Sequence, residues 1–137
     1  MKNKPPFSAD VNTAPGVYSI PCSICPNLYF GETGRGLQVR LGEHKNAVTR
    51  RDNNNALYRH TIESSENEGF MHQIDWEGSN LLHINHNWYT RLAIESSYIK
   101  CFPNFNGMRS TMGIDRFSAK MLLDSIHPLR PLSNTRF

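Results

Sequence analysis

Trp88, Leu92, Glu95 and Ile99 are separated by four, three and four residues, the spacing of one helix face. Glu95 therefore projects from an apolar stripe, where a carboxylate is costly unless an ion pair or a metal compensates it. Arg40 and His44 stand four apart on a second helical pattern and share one side of it, bordering Leu37, Leu41 and Val48. Taken singly, each has a structural reading: a glutamate at the edge of a face, a snorkelling arginine, a satisfied core histidine. Tyr18 and Tyr29 have one too, because tyrosines in strands usually pack. Each, however, belongs to a triplet with a glycine, Gly16-Val17-Tyr18 and Tyr29-Phe30-Gly31. If those strands pair, both hydroxyls can point the same way. An acid, a guanidinium, an imidazole and two phenols aimed at one core would make a site.

Cys22 and Cys25 form a CxxC, and Cys101 stands alone. An odd count fits a disulfide framework badly, and a CxxC without a secretory signal is more often a metal or redox site. Two thiolates leave a tetrahedral zinc two ligands short. The six histidines are His44, His60, His72, His83, His86 and His127. His83 and His86, in HINHNW, are the closely spaced pair, although that string also reads as a capping turn at a helix start.

The elements that must hold these groups follow from the pattern. GVYSI (16–20) and LYFG (28–31) read as hairpin strands whose connection, with Pro21, the CxxC and Pro26, is too long for a tight turn. The Gly-rich GETGRG leads into a helix from Leu37 to about Arg50, broken by RRDNNN. A shorter helix over Ala56–Ser64 follows, then a third strand candidate within residues 74–84. A second long helix runs from Trp88 to Cys101 behind cap candidates Asn85 and Asn87, stopped by Pro103 and Gly107. A short helix is expected over Phe117–Ile126 before a Pro-punctuated tail.

With 137 residues, one core is expected. Hydrophobic residues are 38% and charged residues 20%, too apolar for a disordered tail. Fifteen Lys and Arg against twelve Asp and Glu give a charge of +3, so nucleic-acid affinity would need charge gathered on one face. No apolar run approaches the ~20 residues of a spanning helix, and MKNKPPFSAD lacks the apolar stretch of a signal peptide. No membrane partner is expected. Alternating strands and helices argue for an α+β fold, with helices against a small sheet.

GVY, then YFG after a short insert, Arg40 in GETGRGLQVRLGEH, Glu95 in AIESSYIK and an asparagine in PNFNG resemble the GIY-YIG nuclease signature. The resemblance is closer still to the endonuclease domain of Penelope-like retroelements, which carries a CxxC between the triplets, a YIGxTGR-like turn, RLxEH and an IDW string. Here these stand as Cys22–Cys25, Tyr29–Arg35, Arg40–His44 and Ile74-Asp75-Trp76. Val17 and Phe30 replace isoleucines. The gap from Tyr29 to Arg40 is one residue longer than in many members, which makes Arg35 a competitor for the arginine's role.

The resemblance spans Gly16 to about Asn106 and implies a GIY-YIG-type three-stranded antiparallel sheet flanked by helices. It divides the chain into a flexible lead-in (1–15), a nuclease domain with an inserted CxxC (16–107), and a C-terminal helix and tail (108–137). It implies a DNA endonuclease that uses one Mg²⁺ or Mn²⁺ and leaves a 5′-phosphate and a 3′-hydroxyl. Glu95 would hold the metal and Arg40 the phosphate. Tyr18 would take a proton from the attacking water or place that water. Tyr29 and His44 would orient the reactants, with His44 a possible second base. Asn106, in preference to Asn104, would position Glu95 or the phosphate. His60 and His72 would join Cys22 and Cys25 at a structural zinc.

DNA contacts are expected from Arg35, Lys45, Arg50, Arg51 and Arg59, with little sequence preference, because phosphate contacts carry none. The implied partners are DNA and, within a retroelement polyprotein, its RNA and reverse transcriptase; the implied location is nuclear for a eukaryotic element and otherwise intracellular. The rival expectations are a repair or structure-specific nuclease of the same fold and an inert zinc-stabilised DNA-binding module.

Overall fold

The computed structural model describes residues 13–107, 112–130 and 132. Most of the expected lead-in (1–12), residues 108–111 and most of the tail (131 and 133–137) lie outside the described residues. The fold is α+β, as the alternating pattern predicts. β1 (Gly16–Pro21) is the central strand of a three-stranded antiparallel sheet, between β2 (Leu28–Thr33) and β3 (Asn80–Ile84). Among the described residues four helices flank it: α1 (Leu37–Thr49), α2 (Ala56–Glu68), α3 (Trp88–Cys101) and α4 (Arg116–Asp124).

The period of two in β1 divides two apolar layers. Tyr18 and Ile20 face one side with Leu37, Leu57 and Leu81, while Val17 faces the other with Phe30, Leu82, Ile94 and Tyr98. Every residue of β1 is buried, so the strand shows no polar alternation. Each outer strand also takes backbone bonds from a later segment of the chain. The Leu129 amide donates to the Leu82 carbonyl at 2.7 Å along β3. On β2, Phe105 N–H donates to the Leu28 carbonyl at 2.9 Å. Such bonds take up edge backbone groups that would otherwise template aggregation.

Local chemistry sets the helix boundaries. Asn55 Oδ1 accepts from the Leu57 and Tyr58 amides to start α2, and Asn87 Oδ1 accepts from the Thr90 amide to start α3. α2 runs past the expected Ser64 to Glu68, because the stop is Gly69 at φ 85°. The third strand begins only at Asn80. Asp75 first caps a 3₁₀ turn over Trp76–Gly78, its carboxylate accepting from the Gly78 amide. Trp88, expected on the buried stripe of α3, is 52% exposed; the stripe starts at Leu92, one turn inside the helix. α4 covers Arg116–Asp124 and adds Leu122 and Leu123 to the layer holding Ile94 and Tyr98.

Candidate active site and metal centre

Tyr18 lies opposite Gly31 in the β1–β2 register and Tyr29 opposite Ile20, so the two tyrosines are diagonal neighbours on one sheet face. Their ring centroids are 6.3 Å apart. A Cβ on Gly31 would overlap the Tyr18 phenol, and one on Gly16 would overlap the His83 carbonyl of β3. The two motif glycines are therefore steric requirements. One seats the Tyr18 ring across β2, and the other lets β3 approach β1.

α1 brings His44 between the tyrosines, at 6.1 Å from the Tyr18 ring and 5.2 Å from the Tyr29 ring. Its Nε2 lies 2.9 Å from Tyr18 Oη, and its Nδ1 lies 3.1 Å from Asn55 Nδ2. The two amides that Asn55 Oδ1 accepts fix the orientation of that side chain, so Nδ2 donates to His44 Nδ1. Neutral His44 then carries its proton on Nε2 and donates it to Tyr18 Oη. Burial first, and the Arg40 charge second, push the His44 pKa down to about 4. Both nitrogens are occupied, so the arrangement gives His44 an orienting role and leaves no lone pair for the second-base role.

Arg40 sits one turn before His44 and bonds Glu43 at 2.8 Å, and its charge acts on the Tyr18 hydroxyl. Tyr18 Oη thus accepts from His44 Nε2 and lies in the field of the Arg40 charge. Its pKa nevertheless stands well above the usual tyrosine value, chiefly through burial, with Tyr29 and Glu95 adding to the rise and Arg40 opposing it. That influence places the Glu95 carboxylate within electrostatic range of Tyr18, and Glu95 is 8% exposed. Arg91, one turn before Glu95 on α3, bonds Glu32 of β2 at 2.8 Å and the Asn85 carbonyl at 3.1 Å. This buried pair fixes α3 against β2 beside Gly31. The structure brings Tyr18, Tyr29 and His44 together, with Arg40 one turn away on α1 and the Glu95 charge acting on Tyr18.

Asn106 does not join them as expected. Its Oδ1 accepts from the Phe30 amide at 2.9 Å and its Nδ2 donates to the Phe30 carbonyl at 2.7 Å. It clamps β2 between Tyr29 and Gly31 and is a positioning residue. Asn104 Nδ2 donates to the Ile99 and Phe102 carbonyls, each at 2.8 Å, closing the end of α3.

The expected basic face is only partly assembled. Arg35 pairs with Glu43 at 2.7 Å, the carboxylate that also holds Arg40. Arg50 pairs with Asp52 at 3.5 Å, and Arg59 donates to the Asn53 carbonyl at 3.0 Å. Arg40, Asn46, Arg50 and Asn55, together with Glu43 and Asp52, line a polar hollow of about 410 Å³. Lys45 stands over the Trp76 ring instead, 5.8 Å from its centroid.

The second cluster is Cys22, Cys25, His60 and His72, whose ligand atoms all lie within 4.8 Å of one another. Cys22 Sγ is 3.5 Å from His72 Nδ1, Cys25 Sγ is 3.6 Å from His60 Nε2, and those two nitrogens are 3.3 Å apart. These four side chains could hold a metal ion. The strand pair β1–β2 supplies the cysteines from its long connection, α2 supplies His60, and the segment after α2 supplies His72. The competing histidine falls elsewhere: His83 is buried on β3, its Nε2 2.7 Å from Tyr98 Oη.

Three supporting residues escaped the sequence reading. Glu68 Oε1 lies 2.8 Å from His72 Nε2, Asn55 orients His44, and Phe105 stacks on His60 at 4.1 Å. The spacing of Glu68 and His72, i and i+4, and the run of asparagines before α2 were the available signals. No family model matches the chain, and neither does any curated protein or solved structure.

Proposed function

We propose that this chain is a divalent-metal-dependent DNA endonuclease, the target-cleaving domain of a retroelement related to the Penelope-like group, with a structural zinc. The observation that carries the reading is the meeting of Tyr18, Tyr29 and His44 on one face of the sheet, with the Arg40 and Glu95 charges acting on Tyr18 and Gly31 making room for its ring. Binding DNA alone has no use for a buried carboxylate beside a phosphate.

Arg40 is always charged, and its fork suits two phosphate oxygens and the charge that develops on them. Tyr18, which accepts from His44 beside the Arg40 charge, keeps its own hydroxyl proton and positions the attacking water. Tyr29 backs the same water on the same face. Glu95 offers one carboxylate, a donor of the kind a hard cation takes while keeping several waters. A Mg²⁺ or Mn²⁺ ion there would supply Lewis-acid polarisation of the scissile phosphate. Water adds to phosphorus and the bond to O3′ breaks with protonation of O3′, leaving a 5′-phosphate and a 3′-hydroxyl able to prime reverse transcription. Arg50 and the asparagines of the polar hollow carry the backbone away from Arg40 without reading its sequence.

Zinc fits the second cluster. A tetrahedral ion about 2.3 Å from sulfur and about 2.0 Å from nitrogen sets its ligand atoms roughly 3.3–3.8 Å apart. The separations of 3.3, 3.5 and 3.6 Å fall within that range. Glu68 on the far nitrogen of His72 is the carboxylate partner that orients a ligating histidine.

Nicking of supercoiled plasmid with Mg²⁺ or Mn²⁺ tests the enzyme reading. The expected result is conversion to open circles by the wild type, with Glu95→Gln and Arg40→Ala each slowed at least ~100-fold. Equal cutting by either variant removes that residue from the site, and a wild type that binds but never cuts identifies the inert module.

A further inference from the structure

We propose that a cleft separate from the proposed cutting site seats one unpaired nucleotide of a DNA strand, which makes DNA with unpaired bases near the cut the preferred substrate. The choice of polymer rests on the endonuclease reading; the seat rests on the cleft itself. It holds about 530 Å³ between the end of α1, α2 and the segment from Met71 to Trp76. Ligand clefts in general run from about 300 to 1,000 Å³, a range that admits a nucleotide.

The lining has the chemistry of a single-strand platform. Tyr58 and Trp76 supply aromatic faces, and Val48, Ile62 and Ile74 supply an apolar floor. Among the residues that line it, Arg51 is the only Lys, Arg, Asp or Glu, so the cleft carries a cation and no carboxylate. Lys45 stands over the Trp76 ring at 5.8 Å, outside the residues that line the cleft. Aromatic faces beside cations bind unpaired bases and their phosphates, and each stacked base contributes about 1–3 kcal/mol without regard to sequence.

Two further observations separate this cleft from an ordinary surface dent. Arg51 is the one non-glycine residue with positive φ among the described residues, at 59°. The left-handed turn at the end of α1, held by the Arg51 amide on the Val48 carbonyl at 3.1 Å, leaves the arginine at the cleft. Val48, Ile74 and Trp76 also pack on the apolar layer that contains Tyr18 and Tyr29. The cleft therefore lies on the sheet face that carries the cutting site. Arg40 and Val48 stand eight residues apart on α1, about 12 Å, and a base that leaves a backbone held at Arg40 to enter this cleft is unpaired.

Trp76 is its own reporter. The chain has two tryptophans, and Trp88→Phe, at an exposed position, leaves Trp76 as the sole emitter. This protein is titrated, without added divalent ions, with oligothymidylate, oligouridylate and a blunt DNA duplex of the same length. The expected result is saturable quenching by oligothymidylate, tighter than by either alternative. Arg51→Glu should weaken it about tenfold and Tyr58→Leu by about 5- to 100-fold, both with unchanged circular dichroism. Absent quenching, equal or tighter quenching by the duplex, or indifference to both substitutions overturns the seat, and tighter quenching by oligouridylate overturns its assignment to DNA. Plasmid nicking by the same preparation separates the two readings. Quenching without nicking removes the endonuclease and keeps the seat, whereas nicking without quenching removes the seat alone.

Discussion

Gly31 has no side chain because the Tyr18 phenol occupies that space, so Gly31→Ala is the smallest change that reaches the site without touching a polar group. The added methyl must displace the ring or part β1 from β2, at about 1–3 kcal/mol. Moving the Tyr18 oxygen by as little as ~1 Å should slow nicking roughly 100-fold, well beyond the loss of stability. Urea unfolding and plasmid nicking on the same preparation check this, and a variant that is destabilised yet nicks at the wild-type rate would show that the phenol need not be placed there. At this scale the residue types were legible. The helical spacing of Arg40 and His44, and the place of Glu95 among apolar neighbours, are local properties that survive without knowledge of the fold. The direction of a proton was not. His44 donates to Tyr18 because Asn55, a helix cap from the next element, fixes its tautomer.

The connection after β1, the start of α2 and the segment after α2 meet at Cys22, Cys25, His60 and His72. Each element contributes one or two ligands, so metal binding and folding are one equilibrium there. Cys22→Ser is expected to lose the bound ion, from about one per chain to none, and to lower the melting temperature by roughly 10 °C. Glu68→Ala is milder: it should keep the fold while weakening metal affinity about 10- to 100-fold, because His72 loses the partner that orients it. Metal analysis and competition with a chelator measure both, and an unchanged zinc content in Cys22→Ser would exclude that thiol. The helices were legible as elements through their period and caps. α3 runs from Trp88 to Cys101 as the pattern predicts. The length of α2 was not, since Ser64, which reads as a terminus, is instead buried and donates to the Thr61 carbonyl.

Stability is a property of the whole molecule, and two buried histidines link it to pH. Burial pushes both His44 and His83 from an ordinary 6.5 to about 4. Above pH 6.5 both are neutral, folded or unfolded. As the pH falls toward 4 the unfolded chain takes up protons that the folded chain refuses, so stability falls by about 1.4 kcal/mol per pH unit for each histidine. His83 lies on the sheet face opposite the metal centre, bonded to Tyr98, so His83→Gln should flatten the slope by about that amount without altering metal loss. Urea unfolding from about pH 7 to about pH 5 measures it, and parallel slopes for the two proteins would mean that His83 is protonated in the fold. The amino-acid sequence by itself determined the class of fold, the helices and strands and the inventory of chemically able side chains, because each follows from a period of two or 3.6 and from caps within a few residues. Tertiary structure alone decided that Asn106 clamps β2, that Trp88 faces solvent and that Lys45 stands over Trp76, and it brings together Cys22, Cys25, His60 and His72, the set that the resemblance names. Those outcomes depend on which distant segments share a few ångströms of space, and no spacing along the chain carries that distance.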